Sequence, residues 1–156
     1  LLANTTGSLI AIAQALKWDE QRIQLKYSYF PSEWANTNPE QLGGNHLQRT
    51  LKDYNGQNYW LTFNLKSLFD IQSVNFPQWL NVAVGHGANG MVSAYQKEND
   101  SPRRRQFLLS LDVDLTKVKT KSKILNTVLH SFGFIKFPMP TLELSNGNLY
   151  AHPIYF

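Results

Sequence analysis

The residues that could do chemistry in this chain fall in a few places. The first is Gly85-His86-Gly87-Ala88-Asn89-Gly90, a literal G-x-G-x-x-G. In a dinucleotide site such glycines let the backbone approach a pyrophosphate at a strand-to-helix turn, with an acidic residue at the end of the next strand. Val82–Val84, Met91–Glu98 and Leu108–Leu111 followed by Asp112 imitate that frame, and Arg103, Arg104 and Arg105 would suit a 2′-phosphate. Against this, the unit would begin deep in the chain, Pro102 interrupts the link, and little sequence follows Asp112 for a second half. Gly85, Gly87 and Gly90 are therefore cofactor-binding candidates set against a plainer reading, a tight turn or close backbone packing that only glycine allows.

Asp112 and Asp114 share one face if residues 107–115 form a strand. Two carboxylates there could hold Mg²⁺ or Ca²⁺ or share a proton in hydrolysis. No third ligand is identifiable, and a solvated or salt-bridged face is the simpler reading. His46, His86, His130 and His152 lack zinc-site spacing, and there is no G-x-S-x-G elbow. No catalytic set and no required cofactor emerge. With no cysteine, thiolate metal sites, disulfides and cysteine nucleophiles are excluded.

The positive charge is concentrated. Residues 101–136 carry eight Lys or Arg against Asp112 and Asp114, a local +6 in a chain of net +4. Arg103, Arg104, Arg105, Lys117, Lys119, Lys121 and Lys123 are the partner-binding candidates. The lysines alternate with Val118, Thr120 and Ser122 rather than with aromatic rings, which argues against nucleic acid. Anionic lipid head groups or an acidic protein surface fit better.

These groups need elements to hold them. Residues 1–22 read as a helix, apolar nearly all round, with Ala3, Gly7, Ala11 and Ala15 in an i, i+4 row for close helix packing. Residues 23–30 alternate as a strand and Pro31 ends it. Residues 46–54 read as a short helix stopped at Asn55-Gly56. Residues 59–69 lean towards a helix, and so do 77–84 behind Pro77, although Val82-Ala83-Val84 suits a strand equally. Residues 107–115 read as a strand, 123–132 as a helix capped by Ser122, and 141–152 as a hairpin turning at Asn146-Gly147. Phe156, with Tyr150 and Ile154 at even spacing, has the look of a closing strand of an outer-membrane barrel. At most four strands are countable, though, and Pro153 interrupts the last.

Three strings go further: DYNGQNYWLTFNL at Asp53–Leu65, FPQWLNVAVGHGANGM at Phe76–Met91, and FLLSLDVDLTKVKTKSKIL at Phe107–Leu125. Together with Ala3-Asn4-x-x-Gly7 they resemble the YfiM-like family of predicted periplasmic lipoproteins, a family of unknown function. The upstream charged motifs and the lipobox Cys of that family match no residue here. The resemblance implies the C-terminal part of a longer envelope protein, periplasmic and outer-membrane associated, without known catalysis. It suggests an accessory or pore-plugging subunit of an outer-membrane complex such as a type IX secretion translocon.

The combined expectation is one α+β domain over residues 1–156, mainly helical, with a small, mostly antiparallel sheet in the C-terminal half. The function expected is non-enzymatic. Its rivals are a nucleotide- or metal-dependent enzyme centred on Gly85–Gly90 and Asp112/Asp114, and a periplasmic binder of anionic lipid.

Overall fold

The computed structural model describes residues 2–93 and 101–156, and of residues 2–6 and 10 the backbone only. The expectation of a mainly helical chain is overturned. Six strands form one antiparallel sheet in simple sequence order: β1 (Ile23–Tyr29), β2 (Gln57–Asn64), β3 (Leu80–Asn89), β4 (Arg104–Val113), β5 (Met139–Ser145) and β6 (Asn148–Tyr155). The sheet therefore starts near the N-terminus rather than in the second half. The one long helix is α1 (Leu2–Trp18). The others are short: α2 (Glu33–Thr37), α3 (Pro39–Leu42), α4 (His46–Lys52), α5 (Leu65–Leu68) and α6 (Lys123–Ser131).

Two segments expected to be helical are strands, for identifiable reasons. In β2 the polar residues Asn58, Thr62 and Asn64 alternate with Tyr59, Leu61 and Phe63, but Trp60 breaks the pattern. Reading on into Leu65, Leu68 and Phe69 adds the separate helix α5 and produces a false helical period. In β3 the pairs Leu80↔Val113 through Asn89↔Arg104 run unbroken across the glycines. The G-x-G-x-x-G run is thus mostly strand, and only Gly90, at φ +79°, makes a turn. A Cβ on Gly85 would lie 2.5 Å from the Trp60 ring. These glycines admit the neighbouring strand's side chains. The helix imitated by Met91–Glu98 lies, from residue 94 on, outside the described residues.

The sheet is strongly rolled. Strands sit about 4.8 Å apart, so in a flat sheet β1 and β4 would be roughly 14 Å apart. Yet Lys26 of β1 reaches Asp112 of β4 at 2.7 Å. Trp60 of β2 meets Tyr155 of β6 edge-on with centroids 6.2 Å apart, and Phe156 stacks on Phe30, which follows β1. The outer edge of β1 is covered by the chain after α6: Tyr27 N donates to Phe134 O at 2.9 Å, and Lys136 N donates to Tyr27 O at 3.0 Å. At the other side, Asn146 and Gly147, both at positive φ, make the tight β5–β6 turn.

α1 is tied to the start of β1 by one side chain. Gln14 Oε1 accepts from Arg22 N and Ile23 N, and Gln14 Nε2 donates to Ile23 O. Gly7 and Ala11 face the cleft beside Ile23 and Leu25. Ala15 is exposed, so the expected packing row does not continue through it, and the side chain of Ala3 lies outside the described residues.

Candidate functional site

The two faces of the sheet have opposite chemistry, and the apolar one is the outer one. On the concave face stand Lys26 and Ser28 of β1, Asn58, Thr62 and Asn64 of β2, and Asn81 of β3. They are joined by Gln106, Ser110 and Asp112 of β4 and by Thr141, Glu143 and Ser145 of β5, and all are buried. The convex face can be followed along the register. One row is Ile23, Phe63, Val82 and Leu111. The next is Leu25, Leu61, Val84, Leu109, Leu142 and Ala151. The third is Tyr27, Tyr59, His86, Phe107, Leu144 and Leu149. Most of these are half-exposed or exposed; Leu25 is 58% exposed, Phe107 55% and Leu149 67%. A half-solvated antiparallel sheet normally turns its apolar face inwards, and here the order is reversed.

The burial tally makes the same point. Among the described residues, five hydrophobic side chains are buried (Ala35, Leu42, Trp60, Ala83 and Leu108), against eighteen polar or charged ones. The chain exposes 10657 Å², where a folded monomer of this mass is expected to expose roughly 8,000 Å².

The polar interior is organised. Lys26 and Asp112 have fully buried side chains 2.7 Å apart. The Lys26 ammonium donates its hydrogen bond to Val113 O at 2.8 Å, and Asp112 Oδ1 accepts from Phe137 N at 3.0 Å. Lys136, 2% exposed, places its Nζ 4.5 Å from the centre of the Trp60 ring and donates to Phe137 O. Burial pushes its pKa down to about 8; Asp112 works against that shift and Lys26 adds to it. Asp114, just past β4, accepts from Gln24 Nε2, Thr116 N and Thr116 Oγ1.

A second cluster lies nearer the open end of the roll. Glu143 accepts from Gln106 Nε2 at 2.8 Å and pairs with His152 Nε2 at 2.8 Å. Tyr155 lies against His152, and its phenol is pushed up to about 12 by burial and by Glu143. This cluster lines a cleft of about 950 Å³ with Trp34, Asn89 and Arg104. Among the described residues the hydrogen-bond partner of the His152 ring is the Glu143 carboxylate.

The residues singled out from sequence are dispersed by this fold. Gly85 and Gly87 lie inside an antiparallel strand, not at a strand-to-helix turn. Asp112 and Asp114 do share the inner side, but each is engaged by protein groups. No group of three His, Cys, Asp or Glu able to hold a metal exists among the described residues. The basic segment is divided between opposite ends of β4. Arg104 and Arg105 begin that strand, and Arg103 donates to Ser93 O at 2.8 Å. Lys117, beyond the other end, donates to Ser67 Oγ, Asn64 Oδ1 and Glu20 Oε2. Lys119, Lys121 and Lys123 are exposed. His86 faces outwards, edge-on to Phe107, while His46 and His130 sit on α4 and α6.

The outer apolar surface is the feature that sequence reading missed. Its signal is present as alternation in β1 and β5 and, apart from Leu108, in β4, but alternation alone does not say which face meets the solvent. No family model, curated protein or solved structure matches the chain. No described helix is long and apolar enough to cross a membrane.

Proposed function

We propose that this is a non-enzymatic cell-envelope protein that acts at the outer membrane through its surfaces, as an accessory component there. The carrying observation is the convex sheet face, a continuous apolar surface over a polar, hydrogen-bonded interior. Monomers in water rarely expose apolar patches beyond a few hundred Å², and larger ones mark contact with a partner or a membrane. The YfiM-like resemblance supports the same compartment. The pore-plugging version fits less well, because the lumen of an outer-membrane pore is polar and this convex face is not.

Cell fractionation of the full-length protein tests the proposal. It is expected in the outer-membrane fraction and to stay there through a high-salt and carbonate wash. Recovery in the soluble fraction would overturn it.

A further inference from the structure

Resting on that reading, we infer that the convex face of the sheet is covered by the acyl chains of a bilayer rather than by a protein partner. The face itself favours lipid. A protein–protein interface is only about 56–65% apolar and carries roughly one hydrogen bond per 100–200 Å². Here the rows from Ile23–Phe63–Val82–Leu111 to Leu25–Leu61–Val84–Leu109 have no polar side chain at all. Polar character enters only at the strand ends, as the Tyr27, Tyr59 and His86 tips and then Arg105. The first two are amphipathic side chains of the kind that favour an apolar–aqueous boundary.

Dimensions and charge agree. β3 and β4 are each ten residues long, and a membrane-crossing strand needs about 9–11. The cations lie at both ends of β4, Arg104 and Arg105 at one and the Lys117–Lys123 segment beyond the other, with none between them on the outer face. That is the arrangement in which an apolar slab is flanked by two layers of anionic head groups.

In a medium without water every N–H and C=O must find a protein partner, and the β1 side of the sheet meets that demand. The β1 edge is occupied by residues 134–136. β6 has no further strand beyond it among the described residues, so in a bilayer its outer edge would have to pair with a further chain segment. The buried charges of the sheet, Lys26, Asp112, Asp114, Lys136 and Glu143, all lie on its inner side, and on the outer face of β4 a charge appears only at the strand end, at Arg105.

Residues 1–156 hold no cysteine, so a label introduced among them is unique within this span. Single-cysteine variants Val84→Cys, Leu109→Cys and Leu142→Cys on the outer face, and Asn146→Cys at the hairpin tip, would carry a nitroxide label in the full-length protein. The protein would be reconstituted in phosphatidylethanolamine–phosphatidylglycerol vesicles, with far-UV circular dichroism verifying the sheet. Collision with oxygen, which concentrates in acyl chains, is compared with collision with a water-soluble nickel chelate. The expected result is oxygen-dominated collision at 84, 109 and 142 and the reverse at 146. Nickel access at the three outer positions would show that they face water. Shielding from both reagents would show protein cover, and dipolar broadening between labels would show a second copy. Each of these overturns the inference. If the protein stays with the outer membrane on fractionation while the labels are shielded, the lipid assignment alone fails. If it is soluble on fractionation, the envelope reading fails first.

Discussion

Replacing Lys26 by Met would leave Asp112 as a carboxylate with no exposed surface and no adjacent cation in contact. Removing one partner of a buried ion pair typically costs about 3–5 kcal/mol, because the remaining charge is uncompensated. Two features of this interior place the expected cost near 3 kcal/mol. Asp112 keeps the Phe137 N–H at 3.0 Å, and Lys136 is close enough that Asp112 and Lys26 already act on its titration in opposite senses. With Lys26 gone, a repulsion is lifted from Lys136, which then serves as the remaining cation and titrates at higher pH. The double variant Lys26→Met/Asp112→Leu removes both charges and leaves the Phe137 N–H without its acceptor, a loss of about 1–2 kcal/mol. A double-mutant cycle should then give a coupling of at least about 2 kcal/mol. The assay is urea unfolding in one fixed vesicle or detergent preparation, followed by tryptophan fluorescence and far-UV circular dichroism. If Lys26→Met cost under about 1 kcal/mol and the coupling vanished, the pair would be solvated and the closed polar interior would be wrong.

Three further outcomes are expected. Folded Lys136 loses its proton near pH 8 while the unfolded side chain keeps it to about 10.4. The unfolded state thus binds more protons in that window, and stability should rise from pH 8 to pH 10 by about 2 kcal/mol. Lys136→Met should flatten the rise, as read by urea midpoints across pH. Tyr155 acts in the opposite sense: unfolded tyrosine ionises near pH 10 while the folded phenol is held to about 12. Stability should therefore fall between pH 10 and 12, and Tyr155→Phe should remove that fall. Gly85→Ala places a Cβ 2.5 Å from Trp60, a ring 1% exposed whose Nε1 donates to Ser28 Oγ. A destabilisation of about 1–3 kcal/mol is expected from overpacking, with partial rescue by Trp60→Phe, measured as the shift in urea midpoint.

Local chemistry was legible in the sequence wherever one residue decides it. Ser122 caps α6 by accepting from Leu125 N, and Asn146-Gly147 makes the β5–β6 turn. The alternation of residues 23–29 and 107–113 gave two strands, and it put Asp112 with Asp114 on one side. Other features depend on contacts distant in sequence. Nothing near Gly85 announces that Trp60 will lie over it, because that contact exists only once β2 and β3 are paired. Nothing near Lys26 announces Asp112, because only a rolled sheet brings β1 to β4. The strand count failed at β2 and β3 for the same reason, since Trp60 and the glycines are complementary across the pair and irregular when read singly.

Alternation defines two faces of a strand but does not say which one meets the solvent. In water the apolar set would turn inwards, and Leu25, Tyr27, Leu61, Val84 and Leu109 would form a core. In this chain the inner positions opposite them include Lys26, Asn58, Thr62, Asn64, Ser110 and Asp112, and several are bonded within the interior: Asn64 Nδ2 donates to Asn81 Oδ1 at 2.8 Å, and Thr141 Oγ1 donates to Ser110 Oγ at 2.8 Å. A one-residue register slip would exchange the faces, but it would bury the leucines only by exposing this network and separating Lys26 from Asp112. The arrangement is stable when the outside is itself apolar. There, the outer side chains lose nothing by exposure, while each polar group turned outwards would cost the full loss of its hydrogen bonds. The same alternation thus encodes an ordinary sandwich half in water and an inverted sheet in hydrocarbon. On the lipid-facing assignment proposed above, the charged pair between β1 and β4 favours the second.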